Sequence, residues 1–403
     1  MTDSHPDQPS AENDECRVLR ALRETPGLFE QIAAWTGPEL GLQASLRRQF
    51  PDDLVRAAVS IHELRHRAKI KFTRADQMWF DRQGLEQSTM EAIAAYKAKR
   101  FEGSVWDLCC GIGSDAIALA NHCNVTAVDI NPAACLRASW NAAAYSVATS
   151  VETKVADVLD MIKLDSLNGL IHIDPDRRPG SSGRVSRIED YVPGLEGLNR
   201  LIAQCRGGAI KVSPASNFGG KFPEAEIELI SYRGECKEAT VWFGDLAREQ
   251  PFRATVLPSA ESIAGHPLET LAPMMPLGRY LYDPDPAVVR AGLVDVLAER
   301  LGLSRLDASE EYLTSDQMVR SPFVQTFETI VEMPNNERDL KAWLRKSGIG
   351  RLEIKCRHIP IQADTLRRKL QLSGTEPAVV IFARVNGKAR IIAARRPEDV
   401  AAE

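Results

Sequence analysis

Cysteine is scarce in this chain and carries no pattern. Eight Cys are spread over 403 residues without a CxxC pair. The adjacent Cys109 and Cys110 suit neither a tetrahedral metal site nor an ordinary disulfide. This predicts no metal and a reducing, cytoplasmic compartment. Long apolar runs are missing too. The longest stretch without Asp, Glu, Lys or Arg is 138–151, only 14 residues, where a membrane span needs about 20. Residues 1–11 are polar and hold no apolar core, so no signal peptide is expected. Internal repeats are absent. Apolar residues make up 44% and charged residues 26%, which excludes a collagenous or low-complexity chain. At roughly 150 residues per domain the length allows two or three domains.

Charge is unevenly divided. The whole chain sums to −5, yet residues 331–403 hold 15 Lys/Arg against 9 Asp/Glu. Between Arg338 and Arg396 the balance is 15 to 4. An acidic body with a basic C-terminal module is either a solvated surface or a nucleic-acid surface.

Periodicity divides the chain further. Residues 1–14 read as a disordered tail. Spacings of three and four in Val18, Leu19, Leu22, Leu28 and Ile32, and again in Leu54, Val55, Ala58 and Ile61, predict a helical N-terminal module over 15–71. From 105 onward short apolar runs alternate with helical stretches, the pattern of a parallel sheet covered by helices. Strands are expected at 105–109, 125–128, 151–155, 170–173 and 209–213. Two more, at 227–231 and 239–243, read as an antiparallel hairpin closing the sheet. That makes residues 72–246 one α/β domain. Pro251, Pro258, Pro267, Pro273 and Pro276 punctuate a linker and accessory region over 247–330, with a helix at 288–301. Residues 331–403 read as a small α+β module, in which Asn386-Gly387 signals a hairpin.

The densest chemical signal is Asp107-Leu108-Cys109-Cys110-Gly111-Ile112-Gly113-Ser114-Asp115. It follows a strand and opens a helix, where glycines admit close backbone approach and free N–H groups face a ligand. The glycine pattern also fits dinucleotide binding. Asp107 argues against a pyrophosphate, because a carboxylate there repels phosphate and favours an ammonium group such as that of S-adenosylmethionine. Asp129 ends the second strand and can accept from ribose hydroxyls. Asp157 follows the third strand and can take an adenine amine. The fourth strand runs into Asp174-Pro175-Asp176-Arg177-Arg178, where a rigid acid–Pro loop stands beside two arginines able to hold a phosphate or a planar base.

These motifs resemble those of class I S-adenosylmethionine-dependent methyltransferases over 105–246. Cys109 stands where that family commonly has Gly. Asp129-Ile130-Asn131-Pro132 is similar to the second motif of RNA methyltransferases. Asp174-Pro175 resembles the Asp-Pro-Pro motif of base methyltransferases, with Asp176 in place of the second Pro. Asp-Pro-x-Arg-Arg is more similar to a bacterial methyltransferase group with a C-terminal THUMP-like domain. Phe72-Thr73-Arg74, Leu85-Glu86-Gln87-Ser88-Thr89, Gly350-Arg351-Leu352-Glu353-Ile354-Lys355 and Arg384-Val385-Asn386-Gly387 also look like that group. The resemblance implies a doubly wound Rossmann-like fold and S-adenosylmethionine as cofactor. It would be held by Thr73, Glu86, Gln87, Asp107, Cys109, Gly111, Gly113, Asp129, Ile130, Asp157 and Val158. Asp174, Pro175, Asp176, Arg177 and Arg178 would act on the substrate. THUMP domains bind RNA, so RNA is the expected substrate, with Arg351, Lys355, Arg357, Arg367, Arg368 and Lys369 as its contacts. A small-molecule or protein methyltransferase, an NAD-binding Rossmann protein and a non-catalytic scaffold remain open readings.

Overall fold

The computed structural model describes residues 14–177, 187–370 and 372–397. They fall into two compact units. One runs to Ala225 and includes Val241–Ala247; the other holds Glu226–Thr240 and the chain from Arg248.

The first unit opens with helices α1 (Asp14–Arg23), α2 (Pro26–Ala34), α3 (Glu39–Leu46) and α4 (Asp52–Ala68). Pro26 occupies the first turn of α2, where a missing N–H costs nothing. The apolar stripes of these helices, with Leu22, Leu28, Val55 and Ala58, share a core with Trp79 and Trp140. Short helices α5 (Arg82–Gln87) and α6 (Glu91–Ala98) follow. The ammonium of Lys71 donates to the carbonyls of Leu85 and Ser88 at 2.7 and 3.0 Å, which ties the end of α5 to the segment after α4.

Strands β1 (Gly103–Leu108), β2 (Cys123–Asp129), β3 (Val151–Val155), β4 (Leu170–Ile173) and β5 (Gly207–Val212) are parallel, in the order β3-β2-β1-β4-β5. Helices α7 (Ser114–Leu119), α8 (Pro132–Ala144), α9 (Val158–Lys163) and α10 (Leu195–Gln204) connect them. Asn131 caps α8, its Oδ1 accepting from Ala133 N–H at 2.9 Å, and Pro132 fills the first turn. The order reverses between β1 and β4, so the carboxyl ends of those strands open a crevice. Strand β6 (Glu226–Tyr232) is joined to β7 (Glu235–Gly244) by Arg233-Gly234 alone. Only an antiparallel pair permits so short a link. Both linking residues have positive φ, 52° and 79°, as a type I′ turn requires. The end of β7 lies next to β5 in the first unit.

In the second unit β6 pairs in parallel with β8 (Phe252–Leu257), which pairs antiparallel with β9 (Glu261–Gly265). The Pro-rich passage is therefore sheet rather than linker over these residues. The helix expected at 288–301 is two helices, α11 (Pro286–Ala291) and α12 (Val294–Leu301), broken where Gly292 turns left-handed at φ 72°. A second sheet takes the order β11-β12-β10-β13-β16-β15-β14. Its strands are β10 (Tyr280–Pro284), β11 (Ser304–Arg305), β12 (Leu313–Ser315), β13 (Val324–Pro334), β14 (Ile349–Cys356), β15 (Glu376–Val385) and β16 (Lys388–Arg395). Helices α13 (Glu337–Ser347) and α14 (Ala363–Lys369) cover one face, where Leu340, Leu344 and Leu366 meet Leu352, Val380 and Phe382. The other face packs Ile381, Ile392 and Phe327 against Leu306 and Tyr312. Asn386-Gly387 makes the β15–β16 turn, with both φ positive.

Candidate active site

A cavity of about 360 Å³ opens at the carboxyl ends of β1, β2 and β4, within the range of small-ligand sites. The glycine loop forms its floor with Cys109, Cys110, Gly111 and Ile112. Asp129, Ile130 and Val158 line one side, and Asp174, Pro175, Asp176 and Arg177 another. Gln83, Gly84 and Gln87 of α5 close it together with Asp81, the residue that caps that helix. The chain thus brings together residues more than 90 positions apart.

Asp129 is tied to the loop it faces. Gly111 N–H donates to its Oδ2 and Asn131 N–H to its Oδ1, each at 2.9 Å. Burial pushes this carboxyl above the usual carboxylate range, against the pull of the two N–H bonds. Cys109 holds φ 57° without being glycine, a left-handed conformation that costs an ordinary residue about 1–2 kcal/mol. That is the physical content of finding Cys where Gly is common. Burial, with the carboxylates of Asp129 and Asp174, pushes the Cys109 thiol well up. The contact with Cys135 does the same for Cys110, ahead of burial. Neither thiol is activated as a nucleophile.

Gly113 does not line the cavity. A Cβ there would lie 2.9 Å from the Ala138 Cβ, so this glycine lets α8 pack against the loop. Asp157 caps α9, accepting from Leu159 N–H at 2.8 Å, and its neighbour Val158 is the cavity residue. Thr73 faces Glu91, its N–H and Oγ1 at 2.6 and 2.8 Å from the carboxylate. Thr73 and Glu86 are exposed and outside the cavity lining, whereas Gln87 is in it. Arg178 lies outside the described residues.

Below the loop lies a buried charge network that sequence spacing did not reveal. His172 Nδ1 is 2.7 Å from Asp107 Oδ1, and His172 Nε2 is 3.2 Å from Lys97 Nζ. An ammonium can only donate. Nε2 is therefore the acceptor, and Nδ1 carries the proton that it gives to Asp107. Lys97 also meets Asp115 at 3.0 Å. Burial alone would push Asp115 up, but the Lys97 ammonium overcomes it and holds this carboxyl far below the usual range. Burial raises Asp107 despite the His172 bond. Its Oδ2 is buried at the cavity wall with no hydrogen-bond partner.

Asp174 stands on the same crevice as Gly111. Its Oδ2 accepts from Lys211 Nζ at 2.6 Å, and Lys211 also donates to the Gln87 carbonyl at 2.9 Å. Lys211 is on β5, so the pair joins two strand ends to α5. Asn141, fully buried on α8, donates to the carbonyls of Ile112 and Trp79 at 2.9 and 3.1 Å. That bond holds the glycine loop against the segment before α5.

The six basic residues expected to share one face do not. Lys355 stands on the Ile381 side of β14, Arg357 follows the strand's end, and the two meet Asp283 at 2.9 and 2.6 Å. Arg351 has the same parity as Lys355. Arg367, Arg368 and Lys369 belong to α14, which covers the opposite face. Strand alternation separates the two groups. The exposed cations of the helical face are joined instead by Arg338, Arg345 and Lys346 of α13.

Comparison with known proteins decides the family. Two uncharacterized S-adenosylmethionine-dependent methyltransferases of Mycobacterium tuberculosis, from strains CDC 1551 and H37Rv, are each 35% identical over 318 residues. The match covers 77% of this chain and 85% of theirs. The chain belongs to the S-adenosylmethionine-dependent methyltransferases. Residues 324–396 match the THUMP domain-like family, and residues 102–175 match the family of RNA cap guanine-N2 methyltransferases. The fold agrees with the crystal structure of a protein from Porphyromonas gingivalis W83 assigned as a methyltransferase. That likeness has a TM-score of 0.75 at 21% identity, and covers 96% of this chain and 99% of the other. This methyltransferase uses S-adenosylmethionine as its cofactor. Its described residues include no helix long and apolar enough to cross a membrane.

Proposed function

We propose that this methyltransferase acts on RNA, with its cofactor in the cavity over Gly111 and its methyl acceptor at Asp174 and Arg177. The observation that carries the site is the meeting of Asp129, the glycine loop and the Asp174-Pro175-Asp176-Arg177 segment around one cavity. The residues suit the cofactor. Asp107 Oδ2 is a buried acceptor without a partner, and a cofactor ammonium is the donor it lacks. Asp129 would accept from the ribose, with Gln87 and Ile130 against the rest. When bound, the cofactor supplies an electrophilic methyl group on a sulfonium. The protein then orients: alignment of two reactants is worth about 7–11 kcal/mol. No thiol takes part, since Cys109 and Cys110 are held protonated.

RNA as the substrate is supported by the THUMP domain-like match over 324–396 and the RNA cap methyltransferase match over 102–175. The split of the basic residues narrows where RNA would lie on the C-terminal module. Lys355 and Arg357 are held by buried Asp283. Arg338, Arg345 and Lys346 of α13 and the three cations of α14 are exposed, Lys369 included although it meets Glu337 at 3.1 Å, so the α13–α14 face is the better surface.

Asp129→Ala is expected to weaken S-adenosylmethionine binding about ten- to a hundredfold, the worth of about 1.5–3 kcal/mol in hydrogen bonds to a charged group. Calorimetry measures it. NAD binding more tightly than S-adenosylmethionine would overturn the cofactor site. For the substrate, filter binding of cellular RNA across a salt series should show a steep fall in affinity. Replacing Arg367, Arg368 and Lys369 by Ala should flatten the slope by about 2–3 and leave cofactor affinity alone. A flat salt response in the unmodified protein would point to a small-molecule or protein substrate. Mapping the modified nucleotides lost on deletion would then identify the acceptor.

A further inference from the structure

We propose that Glu310, Glu311 and His358 form a binding site for a divalent first-row transition-metal ion, separate from the methyl-transfer cavity. Glu310 and Glu311 lie between β11 and β12, and His358 stands two residues past the end of β14. One ligand atom from each lies within 4.8 Å of the others. His358 Nε2 is 2.7 and 2.9 Å from the two oxygens of Glu311.

An ion pair between His358 and Glu311 would account for those two residues alone. It leaves Glu310 unexplained. That side chain is fully buried. Its Oε1 accepts from the Arg384 N–H at 2.8 Å, while Oε2 is buried without any hydrogen-bond partner. A Glu310 carboxylate oxygen lies within 4.8 Å of the ligand atoms of Glu311 and His358, and a buried acceptor without a partner lacks a cation or a donor. A metal ion satisfies Oε2, neutralises the two carboxylates and takes Nε2 in one step. The neighbouring cation Arg357 does not serve, because it is turned to Asp283 at 2.6 Å.

The loop is built to hold its shape. Asp307 Oδ1 accepts from Ser309 N–H at 3.0 Å and Oδ2 from Gly387 N–H at 2.6 Å. Glu310 N–H donates back to the Asp307 carbonyl at 3.2 Å. Buried Tyr312 anchors the far end. One imidazole and two carboxylates form a set suited to Zn²⁺ or Mn²⁺. It lacks the thiolates of a soft-metal site and the six to eight oxygens of a calcium site. Exposed His358 leaves the remaining positions to water. The ion would clip the β11–β12 loop to the end of β14.

The test uses the full chain, stripped with a chelator and titrated with Zn²⁺ and, separately, Mn²⁺ by calorimetry in a non-chelating buffer. One equivalent should bind at micromolar concentration. The His358 imidazole resonances should shift in step with it. His358→Ala, Glu311→Gln and Glu310→Gln should each weaken binding by roughly tenfold or more. Cys356→Ser, which removes the exposed thiol two residues from His358, should leave it unchanged. Retained S-adenosylmethionine affinity and circular dichroism would show that the variants fold. No binding of either ion, unshifted His358 resonances, or binding lost in Cys356→Ser but kept in His358→Ala would overturn the site.

Discussion

Lys97→Met is expected to destabilise the protein by about 3–5 kcal/mol, the cost of breaking a buried ion pair by removing one partner. Lys97 is 2% exposed. Its ammonium holds Asp115 at 3.0 Å and His172 Nε2 at 3.2 Å, and through His172 it supports Asp107. A thioether of similar length fills the space but leaves the Asp115 charge without its nearest cation. Against the 5–15 kcal/mol of an ordinary domain, that loss is large. Its pH dependence has a definite sign. In the unmodified protein Asp115 titrates below its unfolded value of 3.8. The stability it contributes is present above that value and is lost as pH falls through the folded one. In Lys97→Met burial dominates and raises Asp115, which weakens the fold at neutral pH and is relieved by protonation. The gap between the two proteins should therefore narrow from pH 7 to below about 4. Urea unfolding at several pH values measures it. A gap under about 1 kcal/mol at pH 7, or one that ignores pH, would remove the network from the list of stabilising features.

Asp174→Asn is expected to lower methyl transfer by about a hundredfold or more, the scale of a lost proton-accepting or positioning group. Cofactor affinity should change by less than about twofold, since this side chain faces Lys211 and the mouth rather than Gly111. Asn keeps the shape and one acceptor for Lys211 but loses the charge. Incorporation of labelled methyl groups into RNA from a deletion strain gives turnover, and calorimetry gives affinity. Undiminished turnover, or a loss of affinity like that of Asp129→Ala, would move Asp174 out of the substrate role. A thermal melt distinguishes either result from the structural effect of leaving buried Lys211 half-paired.

Local signals carried the methyltransferase core. Strand periods of two, the Gly111–Gly113 loop and acids at strand ends act over a few residues, and a sequence shows them directly. Strands 151–155 and 170–173 are found at those residues, and the other core strands begin or end within a few positions of the expected ones. The local pattern is ambiguous where one residue type serves two physical purposes. A glycine in such a loop can admit a ligand or a neighbouring helix, and a Cβ at Gly113 would meet Ala138. An acid at a strand end can take a ligand or cap a helix, and Asp157 caps one. The proline-rich passage hid β8 and β9 because Pro flanks strands as readily as it marks linkers.

By itself, then, the sequence determined an α/β chain with a glycine loop, strand-end acids and a basic C-terminal module. Those features depend on neighbours along the chain. Tertiary structure alone decided which distant charges meet: Lys97 with His172 and Asp115, Lys211 with Asp174, Glu310 and Glu311 with His358. It also decided that Lys355 and Arg357 turn to Asp283 while Arg367, Arg368 and Lys369 lie across the sheet. The physical reason is that a charge count has no direction. Ion pairs and buried acceptors are fixed by strand alternation and by partners tens of residues away, and both exist only once the sheets have formed.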